Sequence, residues 1–404
     1  MSLAPSPTVH IQPVTGATEH TPPSNRAFFP ALDGIRALAF LMVFFSHYVN
    51  FKPGGFGVDI FFVLSGFLIT GILYDTRNEE NRYSNFYVRR SLRIFPLYYA
   101  VILLIVLAWP IFHWQWDWRW LCWPLYAGNW VLIVHRGTID DSTMQLFNGW
   151  LYGRHSAFLL IGHFWSLCVE EQFYLIWPWV VFQVKSRRAL IAISTAVVLL
   201  CPLLRWVALH RMNAQLIDDG ILVHATLFRI DTLMVGAVVA LLYRGSSRAA
   251  LFSSARWSIW IASALAAVAV VAVALHPALL HRHGLYPMLY MVGFTAVAYF
   301  SAVLIVSSLV KDSWMYRIFS NPILRWGGRI TYGAYIFHDI LHPLYTSLAV
   351  RLHVPVWVLA LATTTLISWL SFRYFESPLL DLKDKLAPSS PSAGKDSKSR
   401  PAIA

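Results

Sequence analysis

Charged residues and cysteine are both scarce in this sequence. Only 13% of its 404 residues are charged and 57% are hydrophobic, whereas soluble domains carry about 25% charged residues. A chain this long with so little charge lacks the polar surface of a soluble fold, which excludes a secreted enzyme and a DNA-binding domain. The three cysteines are dispersed and form no CxxC pair, so neither a disulfide framework nor a zinc site is indicated.

Acidic residues are also few, and basic residues outnumber them by 32 to 20, for a net charge of +12. In an apolar chain this excess indicates basic loops on the inner side of a membrane, so we expect membrane lipids and no nucleic acid as partners. Long apolar runs predict an all-α polytopic membrane protein. A β-barrel would show short alternating segments instead.

The apolar runs predict a bundle of about ten transmembrane helices, each close to the ~20 residues that a spanning helix needs. Most basic residues follow the even-numbered spans, which places both termini in the cytoplasm. We therefore divide the chain into a disordered cytoplasmic tail (1-29), a transmembrane domain (30-380) and a second disordered cytoplasmic tail (381-404). The predicted spans are Leu32–Phe51, Gly55–Tyr74, Ile94–Phe112, His163–Val184, Ala189–Leu209, Val223–Tyr243, Trp257–His276, Tyr286–Val310, Ile330–Val350 and Val354–Phe372.

One further apolar stretch, Leu121–His135, is too short to span. If it did span, the basic loops that follow would lie on the wrong side, so we assign it to an interfacial part of a tryptophan-rich outer segment. No metal is expected, because the outer-loop histidines His276, His281 and His283 have no regular ligand spacing.

Ionisable side chains inside predicted spans are candidate functional residues, because burying them in lipid is costly. Arg36 and His47 lie eleven residues apart in the first span. Three helical turns place them on one face, roughly 16 Å apart along the axis. Arg36 alone could snorkel to headgroups and His47 could bond a neighbouring helix. The pair on one face favours a functional role.

Carboxylates in the second and fourth spans are further candidates. Asp59 needs a cationic partner or a proton. Glu170 shares a helical face with His163 and Tyr174, so we expect it to point into the bundle. Glu171 points about 100° away, where it could do no more than brace a neighbouring helix.

Other intramembrane polar residues admit a structural role. Arg205 lies near a span end, where snorkelling is expected. Arg229 and Asp231 lie on different faces of one helix, so each needs a partner from another helix. We assign Gly66 to close helix packing. The ninth span leaves structure and function equally open for Tyr332, Tyr335, His338, Asp339 and His342.

Seven segments in order resemble the acyltransferase-3 family of membrane acyltransferases, which includes the sugar O-acetylases of bacterial cell envelopes. The resemblance runs from about residue 31 to 380 and implies a protein of the bacterial inner membrane. Some relatives carry a fused extracytoplasmic SGNH domain, which we expect to be missing because the sequence ends soon after its last predicted span. The segments are LDGIRALAFLMVFFSH, GVDIFFVLSGFLIT, FYVRRSLRIFPLYY, HFWSLCVEEQFYLIWP, RIDTLMVGA, ITYGAYIFHDILHPL and FESPL.

The resemblance also implies roles for particular residues. The R-x10-H motif of the family falls on Arg36 and His47, which implies that His47 takes part directly in acyl transfer and that Arg36 is essential. The basic RRxxR element falls on Arg89, Arg90 and Arg93. Arginine suits phosphate recognition because its planar fork bonds two oxygens, so these three are the expected binding site for acyl-CoA.

These residues together predict an O-acyltransferase that moves an acyl group, acetyl in the first instance, from acyl-CoA to a hydroxyl of a carbohydrate such as a cell-surface polysaccharide or lipopolysaccharide. The pantetheine arm would thread between helices past Arg36, and neutral His47 would take the proton of the acceptor hydroxyl. Asp59 or Glu170 could orient His47 as in a catalytic triad. The sequence leaves the choice of carboxylate open.

Two alternatives share the same residues. One is acylation of a small-molecule or lipid-linked acceptor. The other is a proton- or ion-coupled transporter, which would also carry intramembrane His, Arg, Asp and Glu. The transporter reading predicts paired internal repeats with broken helices at matching positions. No such repeat is visible, which favours the enzyme.

Overall fold

The structure, a computed structural model, describes residues 29–112, 121–134, 161–212, 220–246, 248–254, 257 and 289–387. These residues form helices and turns with no strand, which confirms the all-α prediction. Seven of the described helices are long and apolar enough to cross a membrane, and the chain is an integral membrane protein. Residues 1–28 and 388–404 of the predicted tails, the three outer-loop histidines and nearly all of the seventh predicted span lie outside the described residues. The second predicted tail begins too early, because residues 381–386 are helical.

The described helices follow the predicted spans closely, with short turns between several of them. In the first part of the chain they are α1 (Pro30–Val49), α2 (Phe56–Thr76), α3 (Arg82–Phe112), α4 (Gly128–Val134), α5 (Trp165–Gln183), α6 (Arg187–Arg211), α7 (Ile221–His224) and α8 (Thr226–Tyr243). In the second part they are α9 (Phe294–Ser308), α10 (Trp314–Phe319), α11 (Pro322–Ile340), α12 (His342–Leu352), α13 (Val356–Ser371) and α14 (Ser377–Leu386).

Helices α1 and α11 pack side by side and run in the same direction. α1 begins at Pro30, which suits the first helical turn. It ends at Val49 and is capped by Asn50, which has the left-handed conformation with φ 55°. A Cβ atom on Gly328 would lie 1.9 Å from the Asp33 carbonyl oxygen, so only glycine permits this approach. The close contact brings the ionisable residues of both helices to one interface.

Glycine also sets the contact between α2 and α8. A Cβ atom at Gly66 would lie 1.9 Å from the carbonyl oxygen of Leu233, and one at Gly236 would lie 2.1 Å from that of Val63. Small residues at such crossings let two backbones approach and gain dispersion contacts. The structure therefore confirms the packing role predicted for Gly66.

Two buried ion pairs cross the bundle. Arg229 Nη2 lies 2.6 Å from Asp59 Oδ1, and Arg205 forks onto Asp231 with a shortest distance of 2.8 Å. Arg229 and Asp231 thus each take a partner from another helix, as predicted. The snorkelling predicted for Arg205 is wrong: its side chain is fully buried, because the Asp231 carboxylate on α8 compensates its charge inside the bundle.

Two helices differ from the predicted spans. α3 begins at Arg82, twelve residues before the predicted third span, so the RRxxR element is helical. The predicted ninth span is two helices that are separated at Leu341. Pro343 has no backbone N–H for the hydrogen bond that a continuous helix would need there, and it suits the first turn of α12. In the described part of the outer segment, residues 121–134, α4 has seven residues and covers about 10 Å.

Candidate active site

A cluster of three histidines and one aspartate lies where α1, α5 and α11 meet. We call His47, His163, His338 and Asp339 the histidine cluster. Asp339 Oδ1 lies 3.3 Å from His47 Nδ1, and Oδ2 lies 3.7 Å from His163 Nδ1. The ring of His338 packs edge-on between the other two, with centroids 5.1 Å from His47 and 4.8 Å from His163. One carboxylate thus faces two histidines.

The contacts of His47 fix which nitrogen is basic. An ionised carboxylate only accepts hydrogen bonds, so we assign the proton of neutral His47 to Nδ1, where it faces Asp339. Nε2 then carries the free lone pair. The His47 side chain is 34% exposed and that of Asp339 only 11%, so the aspartate is held inside while the histidine remains accessible. This is the arrangement of a histidine base with an orienting carboxylate.

A cavity of about 280 Å³ opens beside this cluster and is lined by charged residues. We call Arg36, Arg90, Arg93 and Arg329, all of which line it, the arginine cluster. Arg36 donates to Asp33 at 2.5 Å, and the Arg90 guanidinium lies 3.9 Å from the centre of the Tyr174 ring. Several guanidinium groups around one cavity favour binding of a polyanion.

The wall of the cavity toward the histidine cluster is formed by Ser166 and Tyr335. Both residues line the cavity, and their hydroxyl oxygens lie 2.5 Å apart. The Tyr335 hydroxyl also donates to the carbonyl oxygen of His163 at 3.0 Å. The cavity therefore ends one residue layer from the histidine cluster. Arg36 lines the cavity, and His47 lies beyond this wall, three helical turns further along α1.

Comparison with known protein families decides the class of the molecule. A family model described as an acyltransferase domain matches residues 29–373. The chain belongs to the acyltransferase-3 family. This membership favours the enzyme over the transporter. It also gives the described cavity a chemical context, since the family transfers acyl groups.

Similar members of the family are bacterial. The peptidoglycan O-acetyltransferase OatA of Listeria monocytogenes is 30% identical over 88% of this chain and 56% of its own length. The putative peptidoglycan O-acetyltransferase YrhL of Bacillus subtilis is 29% identical over 88% of this chain and 55% of its own. The chain thus spans little more than half the length of these relatives. No solved structure matches it significantly.

The acyltransferase-3 motifs predicted from sequence fall in both parts of the site. His47 lies in the histidine cluster and Arg36 in the arginine cluster. Arg90 and Arg93 also line the cavity. Arg89 does not: its Nε donates to the carbonyl oxygen of Ala387 at 2.8 Å, just after α14. Two of the three arginines in the RRxxR element therefore lie where a donor could reach them.

The sequence offered two carboxylates, Asp59 and Glu170, to orient His47, and neither of them contacts it. Asp59 is paired with Arg229. Glu170 lines the cavity, as its helical face predicted, and accepts a hydrogen bond from Ser65. Asp339 is the carboxylate at His47. The sequence named it among the polar residues of the ninth span but offered no sign that this span packs parallel to the first.

Three other ionisable residues near the site differ in whether they line the cavity and in how exposed they are. Glu171 does not line the cavity, and its Oε1 is buried without a hydrogen-bond partner among the described residues. Arg329 and Arg93 are exposed within the cavity lining. In the described part of the chain, no group of three or more His, Cys, Asp or Glu residues is placed to hold a metal ion.

Proposed function

We propose that this protein is a membrane-bound O-acyltransferase that moves an acyl group, acetyl in the first instance, from acyl-CoA to a hydroxyl of a cell-envelope carbohydrate. One observation carries the proposal: a histidine paired with a buried aspartate lies beside a cavity lined by four arginines. The first feature suits removal of a hydroxyl proton, and the second suits a phosphorylated donor.

The donor is proposed to enter from the arginine cluster. Acyl-CoA is a polyanion with a long, slender pantetheine arm, so its phosphates would lie against the guanidinium groups and its arm would follow the cavity. Arg93 and Arg329 are exposed there, so they can engage phosphate without first losing a buried partner. Arg36, further along the lining, would meet the donor where the arm leaves the phosphates.

The chemistry is proposed to occur at His47. Nε2 takes the proton of the acceptor hydroxyl as the oxygen attacks the thioester carbonyl carbon. A C–O bond forms, the C–S bond breaks, and CoA leaves as the thiolate, which then takes a proton. Asp339 holds the His47 ring with Nδ1–H facing the carboxylate and stabilises the imidazolium that forms. Asp59 and Glu170 act instead on Arg229 and Ser65, within the walls of the bundle.

The acceptor is proposed to be a polymer of the cell envelope, since the relatives named above are peptidoglycan O-acetyltransferases and a putative one. A small-molecule or lipid-linked acceptor would use the same histidine. For location, we propose the bacterial cell membrane with both ends of the chain in the cytoplasm, because the basic residues follow alternate spans. The tails 1-29 and 381-404 would then flank the membrane domain 30-380 on that side.

The test is transfer of label from radioactive acetyl-CoA. Membranes that contain the protein are incubated with it, then separated into polysaccharide, lipid and small-molecule fractions. The proposal predicts label in the polysaccharide fraction that is released by mild alkali, as an O-ester is, and that is absent with His47→Ala. Label confined to the lipid or small-molecule fraction would refute the polymer acceptor, and no label in any fraction would refute the acetyl-CoA donor.

A further inference from the structure

The cavity that holds the arginine cluster is long for its volume. On α2 its lining runs from Val58 to Ile72, fourteen residues further along the helix and about 21 Å at 1.5 Å per residue. The cavity volume is about 280 Å³, just below the range of about 300–1,000 Å³ that is usual for sites that enclose a whole small molecule. A cavity of this shape suits a thin chain better than a nucleotide.

Three residues of α5 mark successive levels beside this cavity. Ser166, Glu170 and Tyr174 are spaced four residues apart, so they share one face of the helix at steps of about 6 Å. Ser166 forms the wall with Tyr335, whereas the Arg90 guanidinium lies 3.9 Å from the centre of the Tyr174 ring. Glu170 therefore lies about one turn from the wall and about one turn from the arginine end.

Glu170 and Ser65 form a polar pair within a lining that is otherwise largely apolar. Phe62 and Leu68 are among the apolar residues, and the Ser65 hydroxyl donates to Glu170 Oε1. An ionised carboxylate has about four lone-pair sites on its two oxygens, so one bond from Ser65 leaves acceptor capacity at the cavity. A phosphate would be repelled by this carboxylate. A neutral group with an N–H or O–H would be bound by it.

We propose that Glu170, held by Ser65, binds an amide N–H of the pantetheine arm and thereby recognises the donor as a pantetheine thioester. This inference rests on the proposed function, in which acyl-CoA is the donor. The arm is a thin chain that carries two amides between its phosphate end and its sulfur. When the phosphates lie on the arginine cluster and the thioester lies at the wall, an amide crosses the level of Glu170.

The setting of Glu170 permits this contact. Arg90 lies about one turn away, and Arg36 and Arg93 line the same cavity, so cations are present to compensate an ionised carboxylate. Glu170 and Ser65 are both only partly buried, which leaves them open to a bound chain. A hydrogen bond to a charged acceptor is about twice as strong as a neutral one. Affinity for the arm should therefore depend on Glu170, and affinity for the phosphates on the arginines.

The test is competition by two fragments of CoA against radiolabelled CoA bound to membranes that contain the protein. Pantetheine carries the arm without the phosphates, and adenosine 3′,5′-bisphosphate carries phosphates without the arm. Glu170→Met keeps the length of the side chain and removes the acceptor, so it should weaken competition by pantetheine about tenfold and should not weaken the nucleotide. Arg93→Gln should weaken the nucleotide about tenfold and leave pantetheine unchanged.

The matched control is Glu171→Met. Glu171 is the neighbouring carboxylate on the same helix and does not line the cavity, so both fragments should compete as they do in the wild type. Each variant is compared at equal amounts of protein that elutes as one peak on detergent gel filtration. If Glu170→Met does not accumulate, Glu170→Gln takes its place; its neutral acceptor should weaken pantetheine by about threefold.

Unchanged competition by pantetheine in the Glu170 variant would overturn the inference. An equal loss for both fragments would also overturn it, because a merely structural Ser65–Glu170 bond would affect both ends of the cavity alike. So would pantetheine that does not compete in the wild type, since the arm would then have no site of its own.

Failure of the proposed function would look different. If labelled CoA does not bind to the wild type, the donor is wrong and the inference falls with it. If CoA binds and the Glu170 variant behaves as the wild type, the donor stands and only the role of Glu170 is refuted. Competition by pantetheine but not by the nucleotide would keep the arm site and refute CoA as the source of the arm.

Discussion

Replacing Asp339 with asparagine removes the charge opposite His47 and keeps the shape of the side chain. The His47 Nδ1 to Asp339 Oδ1 distance is 3.3 Å, and two unit charges at that distance interact by about 5 kcal/mol at an effective dielectric constant near 20. The His47 side chain is 34% exposed, so solvent screening reduces this by about half. Asp339→Asn should therefore raise the activation free energy by about 2.5 kcal/mol, roughly 70-fold in kcat.

The assay is initial-rate kinetics in membranes, with release of the CoA thiol followed against acetyl-CoA concentration. The KM for acetyl-CoA should stay within about twofold of the wild-type KM, because Asp339 does not line the cavity that holds the arginine cluster. Loss of a contact made only in the transition state lowers kcat and leaves KM unchanged. Asp75→Asn is the matched control: its pair with Arg244 at 2.7 Å is half-exposed, and such pairs contribute about 0–1 kcal/mol. A wild-type kcat in a well-inserted Asp339→Asn protein would refute the reasoning.

Three further predictions concern the donor site and the bundle. Arg93→Gln should raise the acetyl-CoA KM about tenfold, as loss of one charge-assisted phosphate contact does, whereas Arg89→Gln should not, because Arg89 bonds the chain after α14; saturation kinetics separate the two. Gly66→Leu should abolish accumulation of folded protein on detergent gel filtration, since no Cβ fits there; a monodisperse wild-type peak would contradict this. Arg205→Met should destabilise the protein by about 3–5 kcal/mol, and Arg205→Met with Asp231→Leu should restore much of the loss, measured by thermal unfolding. Equal losses in the single and double variants would contradict the pairing.

Much of the fold follows from the sequence because each span must be an apolar helix of about 20 residues, with its backbone hydrogen bonds satisfied within the helix. Helix periodicity alone placed Glu170 toward the interior, and the structure has it in the cavity lining. Periodicity within one helix cannot say which other helix it meets. That is why the carboxylate beside His47, Asp339, could not be chosen over Asp59 before the parallel contact of α1 and α11 was known.

The errors have physical causes as well. Arg205 was expected to snorkel because a lone arginine near a span end does so, but the structure gives it a carboxylate on α8. The predicted third span begins too late because the first turns of α3 are rich in arginine, a composition that in a sequence is typical of a loop. A helix can extend past the hydrocarbon with charged side chains in the headgroup region or in a protein cavity, as Arg90 and Arg93 do here.

The most direct test of the central claim is single-turnover transfer of radioactive acetyl from acetyl-CoA to cell-wall polysaccharide by the wild type and by His47→Ala, at matched amounts of protein in the membrane. The account predicts alkali-labile label in the polysaccharide with the wild type and a loss of at least about 1,000-fold with His47→Ala, comparable to removing the base of a catalytic triad. The variant should still bind acetyl-CoA, since His47 does not line the cavity that holds the arginine cluster. Undiminished transfer by His47→Ala would contradict the account.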